Sequence, residues 1–312
     1  MKLKFMGNML DDGKILEAQS IELLIKAGLS AALFDISISE SEIKNGSAEV
    51  LTAFVNLNTP VALVLRSPAN RLKEAALLAA NYKFNYIWIT DKANKEDISN
   101  LSDGYKIISS VKDTNEIESL MPFCAGFFLD ETMIKTETAE KLRQAGKQIF
   151  AAEPHNPLID CVVYENPELI KGQKDNAKRP ADYLLSRSSH LNNTEDVIAY
   201  SAVLAAEKLS AKAIIVMCCE ASPVDRVTSY YPPMPVIAVA NRKLYEALLL
   251  SFCCNYGVLP TAITKIPPKS GEEIDFARFV ADLYGYQAGD TIIVTGSYSL
   301  EGNKDYVEVV SL

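Results

Sequence analysis

Residues 195–265 read EDVIAYSAVLAAEKLSAKAIIVMCCEASPVDRVTSYYPPMPVIAVANRKLYEALLLSFCCNYGVLPTAITK, and residues 288–312 read AGDTIIVTGSYSLEGNKDYVEVVSL. A helical pattern runs into the apolar run AIIVMC (213–218). A second helix leads to PVIAVA (235–240), a third to GVLPTAI (257–263) and a fourth to TIIVTG (291–296). A last extended piece, YVEVVSL, closes the sequence. Helices alternating with short β-branched runs predict a mostly parallel sheet with helices on both faces, a three-layer α/β/α domain.

Upstream of this domain the same alternation continues. LKFMG (3–7), AALFDIS (31–37), VALVL (61–65), YIWIT (86–90), KIISSV (106–111), GFFLD (126–130) and QIFAA (148–152) read as strands. Either CVVY (161–164) or ADYLLS (181–186) supplies an eighth. Between them lie helical stretches such as KILEAQSIELLIKA (14–27), which Gly28 stops, and RLKEAALLAANY (71–82). Seven or eight such units predict a TIM-type (β/α)8 barrel. Barrels of this kind run to about 200–250 residues, so this one is pared down, complete or one unit short. The polar stretches NAKRP (176–180) and SRSSHLNNT (186–194) flank the boundary, which gives a barrel over 1–191 and an α/β domain over 192–312.

The chain has 312 residues, 48% hydrophobic and 23% charged, a composition that buries a sizeable core. Its formal net charge of -9 disfavours a nucleic-acid partner. No apolar run reaches membrane-spanning length, and MKLKFMGNML is too short for a signal segment. Cys124, Cys161, Cys218, Cys219, Cys253 and Cys254 fall mostly in apolar patterns, as buried thiols of a reducing cytoplasm do. With His155 and His190 the only histidines and no C-x-x-C spacing, a zinc site is not expected. No phosphate loop, dinucleotide fingerprint or nucleophile elbow is present.

Barrel enzymes place their chemistry at the C-terminal ends of the strands. The polar residues there include Asp35, Ser37, Ser39, Arg66, Ser67, Thr90, Asp91, Ser110, Lys112, Asp130, Glu131, Glu153 and His155. Asp130, Glu131 and Glu153 are of the type that holds a divalent metal, and Arg66 and Lys112 of the type that faces an anion. Polar residues are also what any strand shows where it meets a solvent loop.

The C-terminal stretch resembles the C-terminal domain of pyruvate kinases, and the first half follows that family in order. IELLIKAGLSAALFDIS (21–37) is similar to the family's EKLIEAGMNVARLNFSHG, and TPVALVL (59–65) to KPVAILLDTKGP. YKIISSVKDTNEIESL (105–120) is similar to IKIIAKIENQEGVDNL, LRQAGKQIFAAEP (142–154) to CNRAGKPVITATQ, and ADYLLSRSS (181–189) to ADCVMLSGET. The resemblance implies phosphoryl transfer between phosphoenolpyruvate and ADP, with magnesium and potassium, in an oligomer. The residues that would carry it differ. The family's phosphate-gripping Arg falls on Leu33, its potassium-binding Asn on Asp35, the Asp of its DT pair on Arg66, its phosphoryl-stabilising Lys on Ser110 and its metal-binding Glu on Lys112. Its second metal carboxylate falls near Met133, and its late Thr on Glu153; Ser37 is kept, and Ser67 replaces a Thr. The lid domain inserted after the third strand is replaced by SPANR (67–71).

In the C-terminal domain the family's effector loop, of the form T-x-S-G-R-S, corresponds to CCEASPVDR (218–226), where Ser222 stands for the basic residue and Glu220 for a Ser. Thr295 and Gly296 keep the start of the family's TGW. With Ser222, Ser297, Asn303 and Lys304 they remain candidates to hold a small polar ligand. TSYYPPMP (228–235) reads as a rigid connection, and the aromatics of FARFVADLYGY (276–286) as packing on the sheet.

The sequence therefore points to a catalytically degenerate pyruvate-kinase-like protein. It would be a cytoplasmic regulatory, sensing or assembly subunit with no cofactor, forming a homo-oligomer or a hetero-oligomer with an active pyruvate kinase. The alternative is an enzyme retaining that activity with magnesium and potassium, or acting on another small anion through Arg66, Lys112, Asp130, Glu131 or Glu153. Convergence of those five residues on one mouth would favour the alternative.

Overall fold

Eight parallel strands close on themselves in the first half of the chain. They are β1 (Lys4–Asn8), β4 (Leu29–Asp35), β5 (Ala62–Ser67), β6 (Tyr86–Ile89), β7 (Lys106–Ser110), β8 (Gly126–Phe128), β9 (Gln148–Ala151) and β10 (Cys161–Tyr164). Each pairs with the next in chain order, and β10 returns to β1 with Lys4 opposite Cys161 and Gly7 opposite Tyr164. A small hairpin of β2 (Leu10–Asp11) and β3 (Lys14–Ile15) precedes the first helix. The structure, a computed structural model, describes residues 4–11, 13–57, 61–152, 156, 158–172, 191, 193–218, 222–230, 232–240, 258–262, 272–297 and 305–312. Residue contacts divide the chain into two compact units, Lys2–Asn176 and Ala177–Leu312. The barrel is thus complete, and its eighth strand is CVVY; the competing ADYLLS lies outside the described residues.

Helices α1 (Ala18–Ala27), α2 (Glu40–Leu57), α3 (Leu72–Tyr82), α4 (Lys95–Ser102), α5 (Thr114–Leu120) and α6 (Thr136–Gln144) wrap this barrel. The first shows why they form. Its Ile21, Leu24 and Ile25, at helical spacing, are buried, and Gly28 ends it in the left-handed region at φ 114° with its N–H on the carbonyls of Leu24 and Ile25. Short helices are held by caps: Asn94 accepts from the Glu96 N–H, and Asp113 from those of Asn115 and Glu116. After β10 a 3-10 turn spans Pro167–Gly172.

Period-two alternation sorts the strand residues between the two sides of the wall. Ala32 and Phe34, Leu63 and Leu65, and Ile87 and Ile89 belong to the apolar cluster shared with the helices. The residues between them, Leu33, Val64 and Trp88, are buried but lie outside that cluster. The ring of Trp88 reaches Phe128, two strands away, with centroids 4.9 Å apart, so both lie on the inner side.

In the second unit, β13 (Val258–Ala262), β12 (Val236–Ala240), β11 (Ala213–Cys218), β14 (Thr291–Ser297) and β15 (Asp305–Ser311) form one sheet in that spatial order. All pairings are parallel except that of β14 with the last strand. The described helices are α7 (Thr194–Lys208), α8 (Ser222–Ser229) and α9 (Glu273–Leu283). Ile214 and Val216 pack in one cluster with Ala202, Val203 and Val227, whereas Ala213, Ile215 and Met217 pack in another with Ala277 and Val280. A strand buried on both faces must be apolar throughout, which is why AIIVMC shows no alternation. This is the three-layer α/β/α arrangement. The expectation for FARFVADLYGY holds for Phe276 and Tyr286, which pack against the same cluster as Ala213, Ile215 and Met217, but not for Phe279, which is exposed; α9 buries Ala277, Val280 and Ala281. Among the described residues no helix is long and apolar enough to cross a membrane.

Candidate functional site

The register of three neighbouring strands aligns the polar residues at the C-terminal mouth of the barrel. Asp35 stands opposite Arg66, and Arg66 opposite Trp88. Arg66 donates from Nε to Asp35 Oδ2 at 2.8 Å. Its Nη1 donates to Oε1 of Glu165, just beyond β10, and its Nη2 to Glu165 Oε2 at 3.3 Å. Asn8, at the end of β1, donates from Nδ2 to the same Oε2 at 3.1 Å. The guanidinium carbon lies 5.5 Å from the centroid of the Trp88 ring, within cation–π range. The indole N–H donates to Ser110 Oγ at 2.8 Å. One polar network therefore runs from the closing strand around most of the mouth.

Burial grades the partners. The side chains of Arg66 and Asp35 are 18% and 25% exposed, and that of Glu165 is 63% exposed. Partial burial pushes the Asp35 carboxyl up, but hydrogen bonds from Ser37 and the charge and hydrogen bond of Arg66 outweigh it, holding Asp35 below its ordinary value. Burial likewise works against the charged guanidinium. Glu165 and Asp35 overcome that and keep it firmly protonated.

Among the described residues, the contacts of the other barrel candidates Lys112, Asp130 and Glu131 are local ones. Lys112 is exposed, and its backbone N–H is bonded to Glu116 Oε2. Asp130 is exposed and caps the 3-10 turn that Glu131 opens, accepting from the backbone and hydroxyl of Thr132; these bonds lower its pKa. Glu153 and His155 lie outside the described residues. Leu33 is fully buried. Among the described residues no group of three His, Cys, Asp or Glu side chains is placed to hold a metal ion.

Of the second-unit candidates, Thr295 is buried and donates its hydroxyl to the Tyr306 carbonyl at 2.7 Å, across β14 and β15. Gly296 has φ +137°, and a Cβ there would lie 2.0 Å from the Met217 carbonyl oxygen, so the backbone itself requires glycine. Ser222 opens α8 and Ser297 ends β14; Asn303 and Lys304 lie outside the described residues. At the opposite, N-terminal end of the barrel a cavity of about 410 Å³ is lined by Ser102, Lys106, Phe123 and Lys147. That end of such a barrel ordinarily serves stability.

Asn8, Trp88 and Glu165 are site residues that sequence reasoning did not single out. Trp88 was legible as the inner-facing residue between Ile87 and Ile89. Glu165 depended on knowing which segment closes the barrel.

A family model described as pyruvate kinase, alpha/beta domain, matches residues 196–310. No curated protein matches the sequence. The shortened barrel is consistent with a form that lacks the lid. Residues 196–310 are thus similar to the pyruvate kinase alpha/beta domain.

Proposed function

We propose that the chain is a catalytically degenerate pyruvate-kinase-like protein that serves as a non-enzymatic regulatory, sensing or assembly subunit, by itself or with an active pyruvate kinase in the cytoplasm. The observation that carries this is the charge at the barrel mouth. Where the resemblance places a cation-binding carboxylate, Arg66 stands, and its guanidinium takes up the carboxylates of Asp35 and Glu165. A divalent cation needs those oxygens for itself and is repelled by the guanidinium, so this donor set does not fit magnesium. Phosphoryl transfer depends chiefly on positioning and on neutralising charge with cations, and each lost contact of that kind removes about 3 kcal/mol of transition-state stabilisation. Lys112, exposed on its own loop, does not restore a metal carboxylate.

The alternative, chemistry on another small anion, is favoured by the polar network around Arg66 but not by the dispersal of Lys112, Asp130 and Glu131. A coupled assay with phosphoenolpyruvate, ADP, magnesium and potassium separates the readings. We expect no pyruvate above a heat-killed sample beside an active control. Sustained turnover would sink the degenerate reading.

A further inference from the structure

We propose that Arg66 is a binding site for a small free monocarboxylate and that Glu165 is its tethered occupant. This deepens the sensing role proposed above and rests on the reading that the mouth no longer takes a divalent cation. The guanidinium is held in place without Glu165. Asp35 fixes its Nε edge, and Asp35 is itself held by the Ser37 N–H at 2.8 Å. Trp88 covers one face. What remains is the outer edge, whose Nη1 and Nη2 donate together with Asn8 Nδ2 toward a single carboxylate. Two N–H groups of one guanidinium in a fork, with a third donor beside them, form a carboxylate-binding geometry. Here the carboxylate belongs to the most exposed member of the network. Glu165 can swing into solvent while the inner pair stays.

Charge selects the class of ligand. With Glu165 displaced, Arg66 and Asp35 cancel, and one negative charge restores the present balance. A phosphate dianion would add a second charge beside Asp35 and is disfavoured.

The test uses the full-length protein and its Glu165→Ala variant, titrated with sodium acetate at constant ionic strength against sodium chloride and sodium phosphate. Trp88 is the chain's one tryptophan, so its fluorescence reports on this mouth. Removing a tethered competitor should lower the half-saturating acetate concentration by about tenfold or more relative to the wild type. Asn8→Ala in the Glu165→Ala background should raise it again, and chloride and phosphate should give no saturable change. An acetate response that does not saturate, that is equal in wild type and variant, or that phosphate matches overturns the proposal. The titration contains neither phosphoenolpyruvate nor nucleotide. Saturable acetate binding together with pyruvate turnover would leave the site standing and overturn the degenerate reading; no binding and no turnover would do the reverse.

Discussion

Arg66 is answered on two edges and a face, and the contributions differ. The Asp35 contact is largely shielded from solvent, so removing its carboxylate by Asp35→Asn should lower stability by about 1–3 kcal/mol, measured by denaturant unfolding. The pH dependence has a definite sign. Asp35 is held below its ordinary 3.8, so its contribution is complete above the unfolded value and is lost as pH falls through the lower, folded one. Asp35→Asn should therefore reduce the stability difference between neutral pH and about pH 3, and an unchanged difference would show that other carboxylates dominate. Gly296 is constrained in another way. Gly296→Ala meets both a disfavoured φ and the Met217 carbonyl, and a loss of about 3 kcal/mol or more in thermal unfolding is expected. A structural need explains this glycine without any ligand.

Among the elements, α7 illustrates how a terminus is secured. Asn193 accepts from the Asp196 N–H at 2.8 Å, and Arg226 of α8 reaches both Asn193 Oδ1 at 3.2 Å and Asp196 Oδ1 at 2.6 Å. Asn193→Ala removes the cap and should cost about 1 kcal/mol, read as a shift in denaturation midpoint without a change in slope. Strands were the most legible elements in the sequence because their burial on one or both faces writes period-two or continuous apolar patterns. The helix stop at Gly28 was legible for a similarly local reason. The closing strand was not, since CVVY and ADYLLS satisfy the same local pattern and only the pairing of β10 with β1 distinguishes them. The mouth network inherits that difficulty. Asp35 and Arg66 are 31 residues apart and Arg66 and Glu165 are 99 apart, and no local rule links them. Lys112 and Asp130 were visible for a lesser reason, being polar residues at strand ends that answer to solvent and to caps.

At the scale of the whole molecule, among the described residues one apolar cluster serves the barrel and two serve the faces of the second sheet. Leu63 and Ile293 are both fully buried, in the barrel and the second unit respectively. Each truncated to alanine should cost about 2–5 kcal/mol. Calorimetry of the two variants should show different parts of the unfolding profile displaced; identical displacement would mean that the units melt as one. The closing strand has a further consequence. Cys161 lies on β10 with its side chain buried, and burial pushes its thiol well above the ordinary value. An alkylating reagent attacks the thiolate, so Cys161 is protected twice over, by enclosure and by protonation. Its modification, followed peptide by peptide in a mass spectrometer, would then keep time for the breathing of the seam between the last strand and the first.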